Sequence, residues 1–158
     1  MLSYKIERAT LKDLPVISEL MYKKAQEERK YIEHLDKKEK FSFYSTPEIR
    51  KAISSPQYYM LLANVGGKIM GCGMAKIEKA ASWSKYKKQG YLGMLYVEKK
   101  YRRQGIAKAL QSKRIAWLKS KGISLISCGV LSNNIPALKL AEKRGFKHHL
   151  IYMYKELT

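Results

Sequence analysis

The residues best placed to do chemistry fall in one stretch, Tyr91-Leu-Gly-Met-Leu-Tyr-Val-Glu-Lys-Lys-Tyr-Arg-Arg-Gln-Gly-Ile-Ala107. It reads as a strand ending at Val97, a basic loop, and a helix starting at Gly105. A helix start leaves N–H groups without acceptors, and glycine lets a ligand approach the backbone. Arg102-x-x-Gly105-x-Ala107 therefore suits an anion such as a phosphate. The stretch lacks the Lys-Ser/Thr ending of a nucleotide P-loop and the G-x-G-x-x-G of a dinucleotide site. Taken alone, an ordinary basic helix cap has the same pattern. His148-His149 has no third ligand at a sensible spacing, so it reads as two polar residues at a strand start and no metal site is expected. Cys72 and Cys128 form neither a disulfide framework nor a zinc site, and read as packing residues.

The surroundings of that loop are basic. The chain has 158 residues, 32 Lys plus Arg against 13 Asp plus Glu, and a formal net charge of +19. Fourteen basic residues and one acid, Glu98, lie between Lys79 and Ala141. Such a field attracts polyanions. A phosphate-rich ligand, nucleic acid and a plain solvated lysine surface all fit, and composition does not separate them. With 46% hydrophobic residues the chain builds a core, and its length suits one domain over 1–158. No apolar run reaches 18 residues and the first eight residues lack a signal core, so a cytoplasmic protein without a membrane span is expected.

The elements that must position the loop follow from periodicity. Ser3 to Arg8 reads as a strand. Thr10-Leu-Lys-Asp13 is a capping box, and Leu14, Ile17 and Met21 carry a helix from Leu11 into the twenties. Gln26 to Lys40 is open between helix and loop. Thr46-Pro47-Glu48 starts a short helix. Tyr58 to Val65 and Lys68 to Ile77 form a hairpin through Gly66-Gly67. Ala80 to Gly90 is a polar connection, and Tyr91 to Val97 the next strand. The helix from Gly105 to about Lys121 has Ile106, Ala109, Leu110 and Trp117 on one face and Lys108, Gln111, Ser112 and Lys119 on the other. Leu125 to Val130 reads as a strand buried on both faces. A helix opens at Asn133-Asn134-Ile135-Pro136 and closes at Gly145, and Leu150 to Leu157 is a last strand. The order β-α-α-β-β-β-α-β-α-β is an α/β fold, a mixed sheet with helices on both faces.

Leu95-Tyr-Val-Glu-Lys-Lys-Tyr-Arg-Arg-Gln-Gly-Ile-Ala-Lys-Ala-Leu110 resembles the acetyl-CoA-binding motif of the Gcn5-related N-acetyltransferases (GNAT), Arg/Gln-x-x-Gly-x-Gly/Ala after the fourth strand. Asn134-Ile-Pro-Ala137-Leu-Lys-Leu140-Ala-Glu-Lys-Arg-Gly145-Phe146 resembles the family's second signature, Asn-x-x-Ala-x-x-Leu-Tyr-x-x-x-Gly-Phe. The resemblance implies a mainly antiparallel central sheet and acetyl-CoA as the acyl donor. It implies that the backbone of Arg103, Gln104, Gly105, Ile106 and Ala107 cradles the pyrophosphate, with Arg102 and Lys108 beside it. The pantetheine arm would lie along Leu95, Tyr96 and Val97, bonded by the backbone of Leu95 and Val97, with Asn134 on its other side. A strand N–H would face the thioester oxygen.

The second signature departs from the family where its tyrosine, the usual acid for the leaving thiolate, is replaced by Ala141. Tyr152 and Tyr154 on the last strand are the candidates to replace it, and water would also serve. The glutamate that ribosomal-protein acetyltransferases carry before the Asn corresponds to Gly129. Glu78 and Glu98 remain as candidate bases, though each also reads as a strand-end charge. Glu33, His34 and Asp36 lie where the family builds its acceptor pocket. The short tail after Phe146 leaves the acceptor side open or completed by a second subunit in a homodimer.

The reading is an acetyl-CoA-dependent N-acetyltransferase in which a primary amine, on a small molecule or a protein, attacks directly in a ternary complex. The alternatives are a non-catalytic acyl-CoA-binding domain, motivated by Ala141 and Gly129, and a basic ribosome- or nucleic-acid-associated protein. No Arg-rich arm, RNP-like pattern or helix-turn-helix supports base reading.

Overall fold

The computed structural model describes residues 2–36 and 40–157. Strands β1 (Lys5–Arg8), β2 (Tyr58–Val65), β3 (Lys68–Lys79), β4 (Lys88–Val97) and β5 (Ile126–Cys128) form one sheet in that spatial order. The first four are antiparallel, and β5 joins β4 in parallel. The Gly66-Gly67 turn takes φ of 57° and 84°, the left-handed conformation that a two-residue hairpin requires.

Helices α1 (Leu14–Glu28) and α2 (Thr46–Ser54) cover one face. Ile17, Leu20 and Met21 of α1 and Ile49 and Ala52 of α2 pack there on Met60, Leu62, Met74 and Met94. Helix α3 (Ile106–Ser120) covers the other face, with Ile106 and Leu110 on Leu61, Ala63 and Val97, and Leu118 on Ala75 and Leu92. Burying each such aliphatic side chain contributes about 2 kcal/mol. Helix α4 (Ile135–Lys143) has no buried residue, so it is a partly covered wall.

The Thr10–Asp13 box forms, but around one 3₁₀ turn, so α1 begins at Leu14. Helix α1 runs through Gln26 to Glu28 and ends in a further 3₁₀ turn, Arg29–Tyr31. Of the open stretch to Lys40, residues 37–39 lie outside the described residues. The buried ridge of α3 is Ile106, Leu110, Arg114 and Leu118, with Gln111 beside it. Gln111 thus leaves the polar face expected for it, because the i, i+4 row turns toward the sheet whatever its residue types.

Two expected strands need correction. β5 is three residues long and half-buried, not a six-residue strand buried on both faces, because its ladder with β4 stops at Leu92–Cys128. Leu150 to Leu157 forms no strand. Its types suit a strand, but no ladder pairs it, and Leu150, Ile151, Tyr152 and Met153 are all exposed.

Candidate active site

β4 bends where it leaves β5. Gly93 pairs with Met74 and Tyr96 with Cys72, so Met94 and Leu95 oppose the single Gly73. Such a bulge kinks its strand, and Met94 takes φ 51° to make it. Beyond Leu92 and Cys128 the two parallel strands diverge. The gap is a cavity of about 580 Å³ lined by Tyr91–Leu95 of β4, Cys128–Leu131 after β5, one side of α4, and Tyr44, Lys24 and Glu28.

The bulge is held from both faces. Arg114 reaches up from α3, and its Nη1 donates to the carbonyls of Met74 at 2.9 Å and Gly93 at 3.1 Å. From the opposite face the Cys72 thiol donates to the Met94 carbonyl at 3.4 Å. Burial pushes that thiol up to about 12, so Cys72 is a packing residue and not a nucleophile. The Tyr44 hydroxyl lies beside the Met94 backbone and the Tyr91 hydroxyl, and burial raises its pKa above the ordinary phenol range. Gly73 leaves room for the guanidinium, since a Cβ there would sit 3.2 Å from Arg114 Nε. Arg114 is 1% exposed, and its Nε has no hydrogen-bond partner among the described residues. Burial lowers its pKa to about 10, so it stays a cation at neutral pH. Among the described residues no salt bridge neutralises it.

The basic loop follows β4 directly. Gly105 takes φ 84° and Arg103 φ 60°, which turns the chain into α3. The first bond of the α3 ladder runs from Ala109 N–H to the Gly105 carbonyl at 2.9 Å, so the N–H groups of Gly105 to Lys108 have no helical acceptor. Arg102 is not a free cation beside this cradle. Its Nε donates to the Val97 carbonyl at 2.7 Å and its Nη2 to both oxygens of Glu27 on α1, at 3.0 and 2.8 Å. The Tyr96 hydroxyl donates to the same carboxylate at 2.8 Å. Burial raises the Glu27 pKa, but the bonds from Arg102 and Tyr96 outweigh it and hold the carboxyl below its usual range. Arg103, Gln104 and Lys108 are exposed, while Ile106 is buried. Leu95 and Asn134 line the cavity, where Asn134 also caps α4 by accepting from Ala137 N–H at 3.2 Å.

None of the four candidate acids and bases lines the cavity. Glu78 is bonded by Lys76 at 2.6 Å and Gln89 at 2.9 Å; these bonds outweigh the upward push of burial and lower its pKa. Glu98 accepts from Lys23 of α1 at 2.6 Å. Tyr152 is 88% exposed. Tyr154 donates to Glu33 at 2.8 Å, which raises its pKa, and its ring lies 4.3 Å from that of His34. His148 contacts Glu142 at 2.8 Å. Sequence reasoning passed over Tyr44, Tyr91, Arg114, Glu27 and Glu28. Glu28, paired with Lys24, is the single carboxylate among the described residues that line the cavity. Spacing gave no signal for these five, since they meet only through the fold.

No helix among the described residues is long and apolar enough to cross a membrane. The chain shares its fold with a predicted acetyltransferase from Clostridium acetobutylicum solved with acetyl-CoA, at TM-score 0.75 and 17% identity, over 98% of this chain and 96% of that one. It is also similar to an aminoglycoside acetyltransferase from an uncultured soil metagenomic sample, solved with sisomicin, at TM-score 0.67 and 22% identity over 98% and 97%. A third similar structure is the aminoglycoside 6'-N-acetyltransferase AAC(6')-IG from Acinetobacter haemolyticus, at TM-score 0.70 and 19% identity over 98% and 99%. The family model described as the acetyltransferase (GNAT) family matches residues 21–146. With the bulged strand, the splayed partner and the glycine-led loop all inside that span, the chain belongs to the GNAT acetyltransferase family.

Proposed function

We propose that this protein transfers an acetyl group from acetyl-CoA to a primary amine by direct attack in a ternary complex. The observation that carries the reading is continuity. One strand, β4, forms the wall of the cavity and runs straight into a loop whose helix-start N–H groups lack acceptors. The loop backbone from Arg103 to Ala107 suits the pyrophosphate, with Lys108 at its side. Leu95 and Val97 would offer backbone groups to the arm, and the amide nitrogen of Asn134 remains free of its capping bond. Arg102 would act by fixing the loop to α1 through Glu27, not by touching phosphate.

Acetyl-CoA brings an activated thioester, and the protein supplies alignment and oriented donors. The Leu95 N–H, at the bulge, is the donor proposed for the developing oxyanion. Glu28, which lines the cavity, would meet the incoming ammonium and take its proton. Its charge, the one negative charge among the described lining residues, is shared with Lys24, so this lining favours an amine on a neutral or acidic molecule over a polycation. The test is release of free thiol from acetyl-CoA across amines, peptides and aminoglycosides. Turnover with neutral or acidic amines is expected. CoA binding without turnover on any amine would favour the non-catalytic reading that Ala141 motivates.

A further inference from the structure

We infer that Tyr91 is the acid that protonates the departing thiolate, in place of the residue missing at Ala141, and that the buried Arg114 strengthens it through a chain of hydrogen bonds. The inference rests on the acetyl-transfer reading above.

The chain runs one way. Arg114 Nη1 donates to the Gly93 carbonyl at 3.1 Å. The N–H of that same peptide belongs to Met94, and the Tyr44 hydroxyl lies beside it, 3.1 Å from where a Cβ of Gly93 would stand. With a lone pair of Tyr44 taken up by that N–H, its own O–H would be directed to Tyr91 beside it. The Tyr91 proton is then left for the cavity that Tyr91 lines. Aligned hydrogen bonds polarise one another in a low-dielectric interior, and a cation at the head of the chain makes the last hydroxyl a better donor. A buried cation without a counter-charge is costly. Arg114 has none among the described residues, and here its field is directed toward a site where negative charge develops.

Two glycines make the space. A Cβ at Gly93 would lie 3.1 Å from Tyr44 Oη and 2.8 Å from Tyr91 Cε1. A Cβ at Gly129 would lie 3.3 Å from Tyr91 Oη. Gly129 is the first residue past the last ladder pair, Leu92–Cys128, so the hydroxyl sits at the apex of the splay. In the step, the amine nitrogen bonds the acyl carbon and the C–S bond breaks, its electron pair passing to sulfur. Tyr91 Oη gives its proton to that sulfur. The amine's released proton returns to the phenolate through water, so the net transfer is from nitrogen to sulfur.

Titration of bound CoA tests this without an acceptor. With protein in excess, the ultraviolet absorbance of the thiolate gives the pKa of the bound thiol, and calorimetry gives its affinity. A hydroxyl donating to sulfur stabilises the thiolate. Tyr91→Phe should therefore raise the bound thiol's pKa by about one unit, a tenfold loss of thiolate, with CoA affinity within about twofold of wild type. Tyr44→Phe should raise it by a smaller amount, because it cuts the chain one link earlier. Lys24, Glu28, Arg114, Cys128 and Arg144 face the same cavity and Lys76 lies over the Tyr91 ring; all are unchanged in both variants, and subtracting the titration of CoA-free protein removes the Cys128 thiol's own absorbance. A tyrosine that only fills space would leave the titration where it was, and that result with CoA bound overturns the inference. Failure of wild-type protein to bind CoA would overturn the acetyl-transfer reading first, and this inference with it.

Discussion

The segment from β3 to α3 and the segment after β5 both border the cavity, yet they are built differently. Around the β4 bulge each deviation of the backbone has a side chain that fixes it: Arg114 and Cys72 on the carbonyls, Tyr44 on Met94, Arg102 on Val97. After Cys128 the chain has one half-covered helix and an exposed tail, tied by the contacts of Tyr154 with Glu33 and of His149 with Trp83. The difference separates two tasks. Under the proposed function, a fixed donor molecule needs a rigid strand and loop, whereas the wall that would meet the acceptor is free to vary.

The comparison breaks most sharply under substitution at Gly73. Gly73→Val drives methyl groups into the buried guanidinium of Arg114 and should cost about 2 kcal/mol or more in denaturant unfolding. Removing residues 150–157 should change stability by less than about 0.5 kcal/mol, since those side chains are exposed. Equal losses from the two changes would contradict the contrast.

A medium effect is expected at the clamp between α1 and the loop. Glu27→Gln keeps the shape and removes the charge facing Arg102, so CoA affinity should fall by about fivefold, within the range of a partly exposed ion pair. Because the folded-state pKa of Glu27 is lowered, its contribution to stability is full above the ordinary carboxylate pKa and is lost as pH falls through the folded value. The variant should accordingly lose less stability than wild type on acidification, as thermal melts across the acid range would reveal.

How much of this was legible in the sequence depends on distance along the chain. The β2–β3 hairpin came from alternation and Gly66-Gly67, and the turn into α3 from Gly105 after the basic loop, all local signals. The bulge did not show, because Met94 with φ 51° is a non-glycine residue held there by partners 22 and more residues away. Arg114 carries no signal in the sequence, since residue type says nothing of a ridge that tertiary packing turns inward. Leu150 to Leu157 misled in the opposite direction. Its apolar and aromatic types suit a strand, but a strand exists only where another edge pairs with it.

Small effects are expected on the acceptor side and the outer surface. Tyr152→Phe and Tyr154→Phe should leave kcat within about twofold, since neither lines the cavity, and Ala141→Tyr should leave turnover unchanged or raise it. A hundredfold loss in either phenylalanine variant would move the acid to the tail. Replacing Lys85, Lys87 and Lys88 should mainly flatten the salt dependence of CoA binding, since steering by exposed charge is screened beyond about 10 Å at 0.1 M salt. Filter binding to RNA and duplex DNA should show only weak, salt-labile retention; sub-micromolar binding that competes with acetyl-CoA would favour the nucleic-acid role.

The central claim is that the loop at Gly105 holds the pyrophosphate of coenzyme A. Calorimetric titration of acetyl-CoA into wild-type protein and Gly105→Glu tests it most directly. The substitution puts bulk and negative charge at a position with φ 84°, beside the helix-start N–H groups. Saturable binding by wild type and a loss of about a hundredfold or more, some 2.7 kcal/mol, in a folded Gly105→Glu protein is the predicted result. Unchanged affinity in that folded variant would contradict the account.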